Sequence, residues 1–243
     1  MKRIRNIPRR LLQEVGYDIT PFPPLPESTG RRKLFFDVEK FDTVLDIGAN
    51  TGQFARYTRY QLEFRKKIIS FEPLSLAFAS LKEKAENDPE WTVHNCAIGD
   101  EAGKKEINIA GNSFSSSLLD MLPAHSNAAP HSKYQDKEWV EVKTLDSFLG
   151  SFFKKNENIF LKIDTQGFEK QVLNGAKESL KHISTIQLEM SLVPLYQGEM
   201  IFAEMYPLLL QIGFGLIDID GGFSDPKTGR LLQIDGIFQK PKP

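Results

Sequence analysis

The sequence predicts an α/β protein whose mostly parallel sheet ends in an antiparallel hairpin. Residues 43–52 have the pattern of a buried strand followed by a turn that contains two glycines. Strand-like and helix-like segments then alternate along the chain, which is typical of a parallel sheet with helices on both faces. The last two strand-like segments, 214–219 and 232–239, are separated by turn residues without a helix, so we expect them to pair antiparallel.

Short apolar runs bounded by turn residues predict the strands, and helix-compatible spacing predicts the helices. The predicted strands are 43–47, 67–71, 91–96, 159–163, 185–190, 214–219 and 232–239. The predicted helices are 53–63, 75–86, 144–153, 168–181 and 200–211. Residues 101–143 interrupt the alternation with a long loop between two strand-like segments, 106–110 and 139–142. Long loops in compact domains are usually functional or disordered.

We predict two parts of the chain, an appendage over residues 1–40 and the main domain over 41–243. The appendage contains a short basic helix candidate at 7–15 and a proline-rich stretch at 21–26 that favours extended polyproline geometry. We interpret this stretch as a strap over the domain surface. A flap over the active site and a dimer contact are the alternatives, so a homo-oligomer stays open.

Composition narrows the class of protein. The chain has 243 residues and a formal net charge of −1, and its main domain has no basic stripe, so nothing indicates a nucleic-acid partner. Cys96 is the only cysteine, which excludes an internal disulfide and fits a reducing compartment. No apolar run approaches the roughly 20 residues of a membrane span, and the basic N-terminus lacks the apolar core of a secretion signal. We therefore expect a cytoplasmic protein.

The turn after the first strand indicates which cofactor is bound. Its spacing, Gly48-Ala49-Asn50-Thr51-Gly52, differs from the G-x-G-x-x-G pattern of dinucleotide sites. Asp46 before the turn would repel a pyrophosphate, whereas S-adenosylmethionine has a sulfonium, an ammonium and no phosphate. Glu72 follows Gly52 by 20 residues at a strand end, where a carboxylate can accept hydrogen bonds from ribose hydroxyls. The predicted cofactor-binding residues are Asp46, Gly48, Ala49, Asn50, Thr51, Gly52, Phe54, Glu72, Pro73, Ala97, Ile98, Ser116 and Asp164.

Several segments together resemble the FkbM family of S-adenosylmethionine-dependent methyltransferases. The likeness rests on the segments 44–52, 71–73, 95–100, 142–146, 161–169, 172–176, 188–189 and 194–196, and it covers roughly residues 41–240. It implies a Rossmann-like class I methyltransferase fold, with a seven-stranded sheet and a reversed final hairpin. It also implies methyl transfer to a small-molecule acceptor, most often an oxygen of a sugar or of a secondary metabolite. This chain has Gln166 where the family pattern often has Glu, which removes one carboxylate from the site.

Two acidic residues are the catalytic candidates. Ligands in open α/β sheets bind beyond the carboxyl ends of the strands, where Asp164 and Glu189 are expected. A sugar hydroxyl is a poor nucleophile at neutral pH, so a general base or a metal should assist it. Asp164 could instead cap a helix or contact the cofactor's amino group, and a divalent metal between Asp164 and Glu189 stays open. His125 or His131 could supply a base from a lid, whereas strand alternation predicts that Lys162 points away from the pocket.

Two other classes of function remain open from the residues alone. One is a nucleotide-dependent oxidoreductase on a similar fold, against which the missing dinucleotide pattern and the final hairpin count. The other is a cofactor-binding protein without catalysis that acts as a partner in a complex. A methyltransferase that acts on RNA or protein is disfavoured by the near-neutral charge.

Overall fold

The computed structural model describes residues 28–153 and 157–241. A seven-stranded sheet forms its centre. The strands of this sheet are β1 (Thr43–Ile47), β2 (Lys67–Phe71), β3 (Trp91–His94), β7 (Ile159–Ile163), β8 (Ile183–Ser191), β9 (Gly215–Gly221) and β10 (Gln233–Gln239). They are arranged in the order β3-β2-β1-β7-β8-β10-β9. The helices are α1 (Ser28–Glu39), α2 (Gln53–Tyr60), α3 (Ser75–Ala85), α4 (Pro123–Ala128), α5 (Leu149–Phe152), α6 (Glu169–Asn174) and α7 (Phe202–Gln211).

The sheet confirms the predicted fold class. Strand β1 pairs in parallel with β2 and β7, and β8 pairs in parallel with β7. Strand β10 pairs antiparallel with both β8 and β9, which is the predicted closing hairpin. Every residue of β1 and β7 is buried, as expected for central strands that helices cover on both faces.

A second sheet occupies the region that was predicted to be mostly a long loop. It contains β4 (Ala97–Ile98), β5 (Gly103–Ala110) and β6 (Tyr134–Lys143), in the order β4-β6-β5. The two predicted strand-like segments lie within β5 and β6, but both strands are longer than predicted. The reason is their composition, because charged residues on the outer face hide the alternation that buries Ile107, Val140 and Val142 on the other.

The predicted helix over 168–181 is wrong in length. Helix α6 ends at Asn174, and a separate 3-10 turn follows at Ser179–Lys181. At Gly175 the chain packs against the backbone of Gly99, and a Cβ atom there would lie 1.8 Å from the Gly99 carbonyl oxygen. Only glycine permits this approach, and the helix ends where it occurs.

Helix α1 lies within the predicted appendage and packs on the sheet. The Phe36 ring is buried, and its centroid lies 5.0 Å from that of Phe41 and 5.1 Å from that of Phe160. Arg31 also forms an ion pair with Asp218 on β9. The predicted basic helix at 7–15 and the proline-rich stretch at 21–26 lie outside the described residues, and the division of the chain at residue 41 stays a prediction.

None of the helices among the described residues has the length and apolar character needed to cross a bilayer.

Candidate active site

A cavity of about 300 Å³ opens beyond the carboxyl ends of β1, β2, β7 and β8. It is lined by most of the residues that the sequence suggested for the site, namely Gly48, Ala49, Asn50, Phe54, Glu72, Pro73, Ala97, Ile98, Ser116, Asp164 and Glu189. Asp46, Thr51 and Gly52 do not line it. This is the edge of the sheet where open α/β proteins bind their ligands.

The turn after β1 forms one wall of the cavity. The Gly48 and Ala49 amides donate to the carbonyl oxygen of Phe71 at 3.1 and 3.0 Å, which fixes the turn against β2. Gly48 has a φ of 79°, and a Cβ atom on it would lie 1.8 Å from the Asp164 carbonyl oxygen. A side chain at this position would therefore push the end of β1 away from the end of β7.

Glu72 presents a buried carboxylate to the cavity. Its Oε2 accepts from the Asn50 amide at 2.7 Å, and its Oε1 accepts from the Leu74 amide at 2.9 Å. Burial raises the pKa of Glu72 from 4.5 to about 7, although these two amide bonds act in the opposite direction. Each carboxylate oxygen can accept more than one bond, so Glu72 has acceptor capacity left for a ligand.

Lys162 lies at the cavity, and the prediction that it points away is wrong. Its Nζ lies 3.1 Å from Asp164 Oδ2 and 3.6 Å from Asp46 Oδ1. Lys162 and Asp46 are register partners and share a face of the sheet, but the long lysine side chain carries its charge to the strand end. Burial alone would lower the pKa of Lys162, but the two carboxylates raise it above its ordinary value. Lys162 is therefore a cation beside two acids.

Gln166 joins the two predicted catalytic acids. Its Nε2 donates to Asp164 Oδ1 at 2.8 Å and to Glu189 Oε2 at 2.5 Å. Tyr196, whose ring is buried, donates its hydroxyl to Gln166 Oε1 at 2.7 Å. Burial raises the pKa of Glu189 well above its ordinary value, and the nearby Asp164 carboxylate adds to this. The arrangement places a hydrogen-bonded carboxyl group at the cavity, within reach of a ligand that must lose a proton.

The segment between β5 and α4 forms a second wall of the cavity, of which only one residue was predicted from the sequence. Ser116 was predicted, and Ser113, Phe114 and Leu118 also line the cavity. Ser113 lies against the glycine turn, because Asn50 Nδ2 is 3.4 Å from its Oγ. The Phe114 side chain is 58% exposed at this wall, although aromatic side chains are usually buried.

The structure places neither loop histidine at the cavity. His125 is buried between the rings of Tyr196 and Phe223, with centroid distances of 5.2 Å to each. Burial lowers the pKa of His125 to about 4, so it is neutral at pH 7. His131 is exposed outside the cavity lining. Within the described residues, no cluster of three or more His, Cys, Asp or Glu side chains is placed to hold a metal ion.

Comparison with known proteins decides the family. The family model described as the methyltransferase FkbM domain matches residues 46–216, which is more than half of the chain. The chain belongs to the FkbM methyltransferase family. The matched segment includes the glycine turn, Glu72, Asp164 and Glu189. The resemblance drawn from the sequence is thereby confirmed.

Two curated relatives of this FkbM methyltransferase are themselves named as methyltransferases. It is 27% identical over 188 residues to the 2-O-methyltransferase NoeI of Sinorhizobium fredii, covering 73% of this chain and 75% of that protein. It is 25% identical over 183 residues to Methyltransferase 1 of Beauveria bassiana, covering 71% of this chain and 67% of that protein.

Among solved structures, a methyltransferase FkbM from Methylobacillus flagellatus aligns with 81% of this chain, at 15% identity and a TM-score of 0.48. The alignment covers 43% of that protein's chain, so this chain spans less than half of its length.

Proposed function

We propose that this FkbM methyltransferase moves a methyl group from S-adenosylmethionine to a hydroxyl oxygen of a sugar or of a secondary metabolite. One observation carries the proposal: the Glu72 carboxylate and the Asp164–Glu189 pair line the same cavity. A cofactor with ribose hydroxyls and positive charge suits the first group, and an acceptor that must lose a proton suits the second.

The donor half of the proposal assigns the cofactor to residues on β1, β2 and the β3–β4 region. Glu72 would accept hydrogen bonds from the ribose hydroxyls, while Ala97 and Ile98 would contact the adenine edge through apolar surface. Asp164 would accept from the cofactor's amino group, with Lys162 balancing the remaining negative charge. When bound, S-adenosylmethionine supplies an electrophilic methyl group, and the electron pair of the carbon–sulfur bond that breaks stays with the sulfur.

The acceptor half assigns the proton to Glu189. As the acceptor oxygen forms its bond to the methyl carbon, its hydroxyl proton passes to a Glu189 carboxylate oxygen and then to water. Gln166 and Gln233 both donate to Glu189 Oε2, at 2.5 and 3.0 Å, and hold the carboxylate in place. General base catalysis of this kind contributes about 10²–10⁴-fold to a rate.

Residues that line the cavity and the name of one relative support a neutral, hydroxylated acceptor. The carboxylates at the cavity disfavour an anionic acceptor and can accept hydrogen bonds from a neutral polyhydroxylated one. The exposed ring of Phe114 offers a face on which a sugar ring can stack. The name of the NoeI relative, a 2-O-methyltransferase, also supports transfer to oxygen.

A transfer assay tests the proposal. Purified protein is incubated with methyl-labelled S-adenosylmethionine and a panel of neutral monosaccharides, oligosaccharides and hydroxylated metabolites. We expect label in at least one product as an O-methyl ether, and Glu189→Gln should lower its rate about 10²-fold or more with little change in cofactor affinity. The chain offers Glu63→Gln as a control, because Glu63 is an exposed carboxylate outside the cavity lining. Cofactor binding without transfer to any acceptor would favour a non-catalytic partner protein.

The other function classes are tested by the same preparation. Tight binding of a nicotinamide dinucleotide instead of S-adenosylmethionine would favour the oxidoreductase. Label found in added RNA or protein would contradict the small-molecule acceptor. The cytoplasmic location and a homo-oligomer stay predictions, which fractionation of cells and light scattering would test.

A further inference from the structure

Tyr196 fixes the orientation of the Gln166 side chain. The tyrosine is 1% exposed, and burial raises the pKa of its hydroxyl far above the ordinary value, so the hydroxyl keeps its proton. Its single hydrogen is shared between two acceptors, Gln166 Oε1 at 2.7 Å and the Ser115 carbonyl oxygen at 3.3 Å, and the shorter contact is the stronger one. The Gln166 oxygen faces Tyr196 and accepts this hydrogen.

This orientation sends the Gln166 amino group to the two acids. An amide has two N–H hydrogens on one nitrogen, and here one reaches Asp164 and the other Glu189. In the opposite orientation the amide oxygen would face both carboxylates and repel them. The tyrosine hydroxyl thus supports the orientation in which the Gln166 amino group attracts the acids at the cavity.

The backbone holds Gln166 in a conformation that few residues adopt. Its φ is 56°, in the left-handed region, and Ser117 Oγ donates to its carbonyl oxygen at 2.6 Å. Non-glycine residues in this region store strain and are concentrated at functional sites. The strain is maintained here by the buried contacts of Ser117 and Tyr196.

The hydrogen bonds to the Glu189 carboxylate reach only one of its two oxygens. Both amide donors, from Gln166 and Gln233, reach Oε2. Within residues 28–153 and 157–241 no hydrogen bond to Glu189 Oε1 is formed, and Glu189 lines the cavity. One oxygen is anchored, and the other is left with acceptor capacity.

We propose that Gln166, oriented by Tyr196, is a positioning residue that anchors Glu189 through Oε2 and leaves Oε1 to take the acceptor proton. This rests on the proposed function for the role of Glu189 as the base. The orientation of Gln166 is a property of the chain itself and can be measured without an acceptor. Its failure is therefore distinguishable from failure of the proposed function.

The test follows the side-chain amide of Gln166 by NMR. Protein labelled with ¹⁵N in glutamine side chains is compared as wild type, Tyr196→Phe and Tyr134→Phe, with the Gln166 signal assigned by its loss in Gln166→Met. Tyr134→Phe is the matched control, because it removes the hydroxyl of a half-buried tyrosine that donates to the Leu119 carbonyl oxygen at 2.7 Å and not to the Gln166 side chain. Calorimetric titration of each variant with S-adenosylhomocysteine reports whether the cofactor site is intact.

We expect the wild-type Gln166 amide to exchange with solvent at least tenfold more slowly than the exposed Gln135 amide. Tyr196→Phe should abolish this protection while the variant still binds S-adenosylhomocysteine, and Tyr134→Phe should retain it. In the transfer assay, Tyr196→Phe should lower kcat about tenfold or more. A protected amide in Tyr196→Phe, or a wild-type kcat in that variant, would overturn the inference. A wild type that binds no S-adenosylhomocysteine would instead contradict the proposed function.

Discussion

The pH dependence of stability in a Glu72→Gln variant tests the buried carboxylate at the cofactor end of the cavity. Burial raises the pKa of Glu72 from 4.5 to about 7, so the folded protein binds this proton more tightly than the unfolded chain. The resulting stabilisation is fully present below pH 4.5 and is lost as the pH rises through about 7. Glutamine has no proton to lose, so the variant lacks this dependence.

The magnitude follows from the two pKa values. Integrating the proton linkage from pH 5 to pH 8 gives a loss of about 2.5 kcal/mol in the wild type relative to the variant. In a protein of this size that corresponds to roughly 5–10 °C in Tm. The variant also loses one acceptor for the Asn50 or Leu74 amide, but this cost is constant with pH and does not change the slope.

The assay is urea unfolding of the ligand-free protein at pH 5, 6, 7 and 8. The free energy of unfolding of the wild type minus that of Glu72→Gln should fall steadily over this range. Glu63→Gln is the control, because Glu63 is exposed and its bond to Lys33 lowers its pKa, which gives a small dependence of the opposite sign. If the free energies of unfolding of wild type and Glu72→Gln changed with pH in parallel, Glu72 would not have a raised pKa in the folded protein.

Two further substitutions test the geometry around the cavity. Lys162→Met leaves the Asp46 carboxylate buried without its cation and should lower the free energy of unfolding by about 3–5 kcal/mol, measured by urea denaturation at pH 7. A restored midpoint in the Lys162→Arg variant would support the charge as the cause, and an unchanged midpoint in Lys162→Met would contradict it. Gly48→Ala should cost roughly 3 kcal/mol or more and abolish S-adenosylmethionine binding in calorimetry, because its Cβ meets the Asp164 carbonyl oxygen. Gly198→Ala is its matched control, since Gly198 has a similar φ of 75° but nothing within 4 Å of the added Cβ, and equal costs for the two would argue against a clash.

The central sheet could be predicted because local sequence and tertiary environment agree there. The strands at 43–47, 67–71 and 159–163 are apolar runs buried on both faces, and their observed bounds are the predicted ones. The antiparallel pairing of the last two strands could also be predicted, because a short connection without a helix permits only that pairing. Helix α1 was missed because its burial depends on Phe36 meeting Phe160, a contact distant in sequence.

The site residues, too, could be predicted where their positions depend on local sequence and not where they depend on distant contacts. Gly48 and Glu72 were identified from their spacing around a strand and a turn, which are local features. Lys162 was misplaced because alternation describes where a Cβ atom points and not where a long side chain ends. Tyr196 lies in the segment 194–196 that carries part of the family resemblance, but its role could not be predicted, since it depends on a hydrogen bond to Gln166, 30 positions away in the chain.

A crystal structure of the protein with S-adenosylhomocysteine would show whether the cavity at the strand ends is the cofactor site. We expect the ligand to occupy the cavity beyond β1, β2, β7 and β8, with both ribose hydroxyls within hydrogen-bond distance of Glu72. We also expect the sulfur to lie on the side of the cavity where Asp164 and Glu189 meet. A ligand bound elsewhere, or one whose ribose makes no contact with Glu72, would contradict the assignment of this cavity to the cofactor.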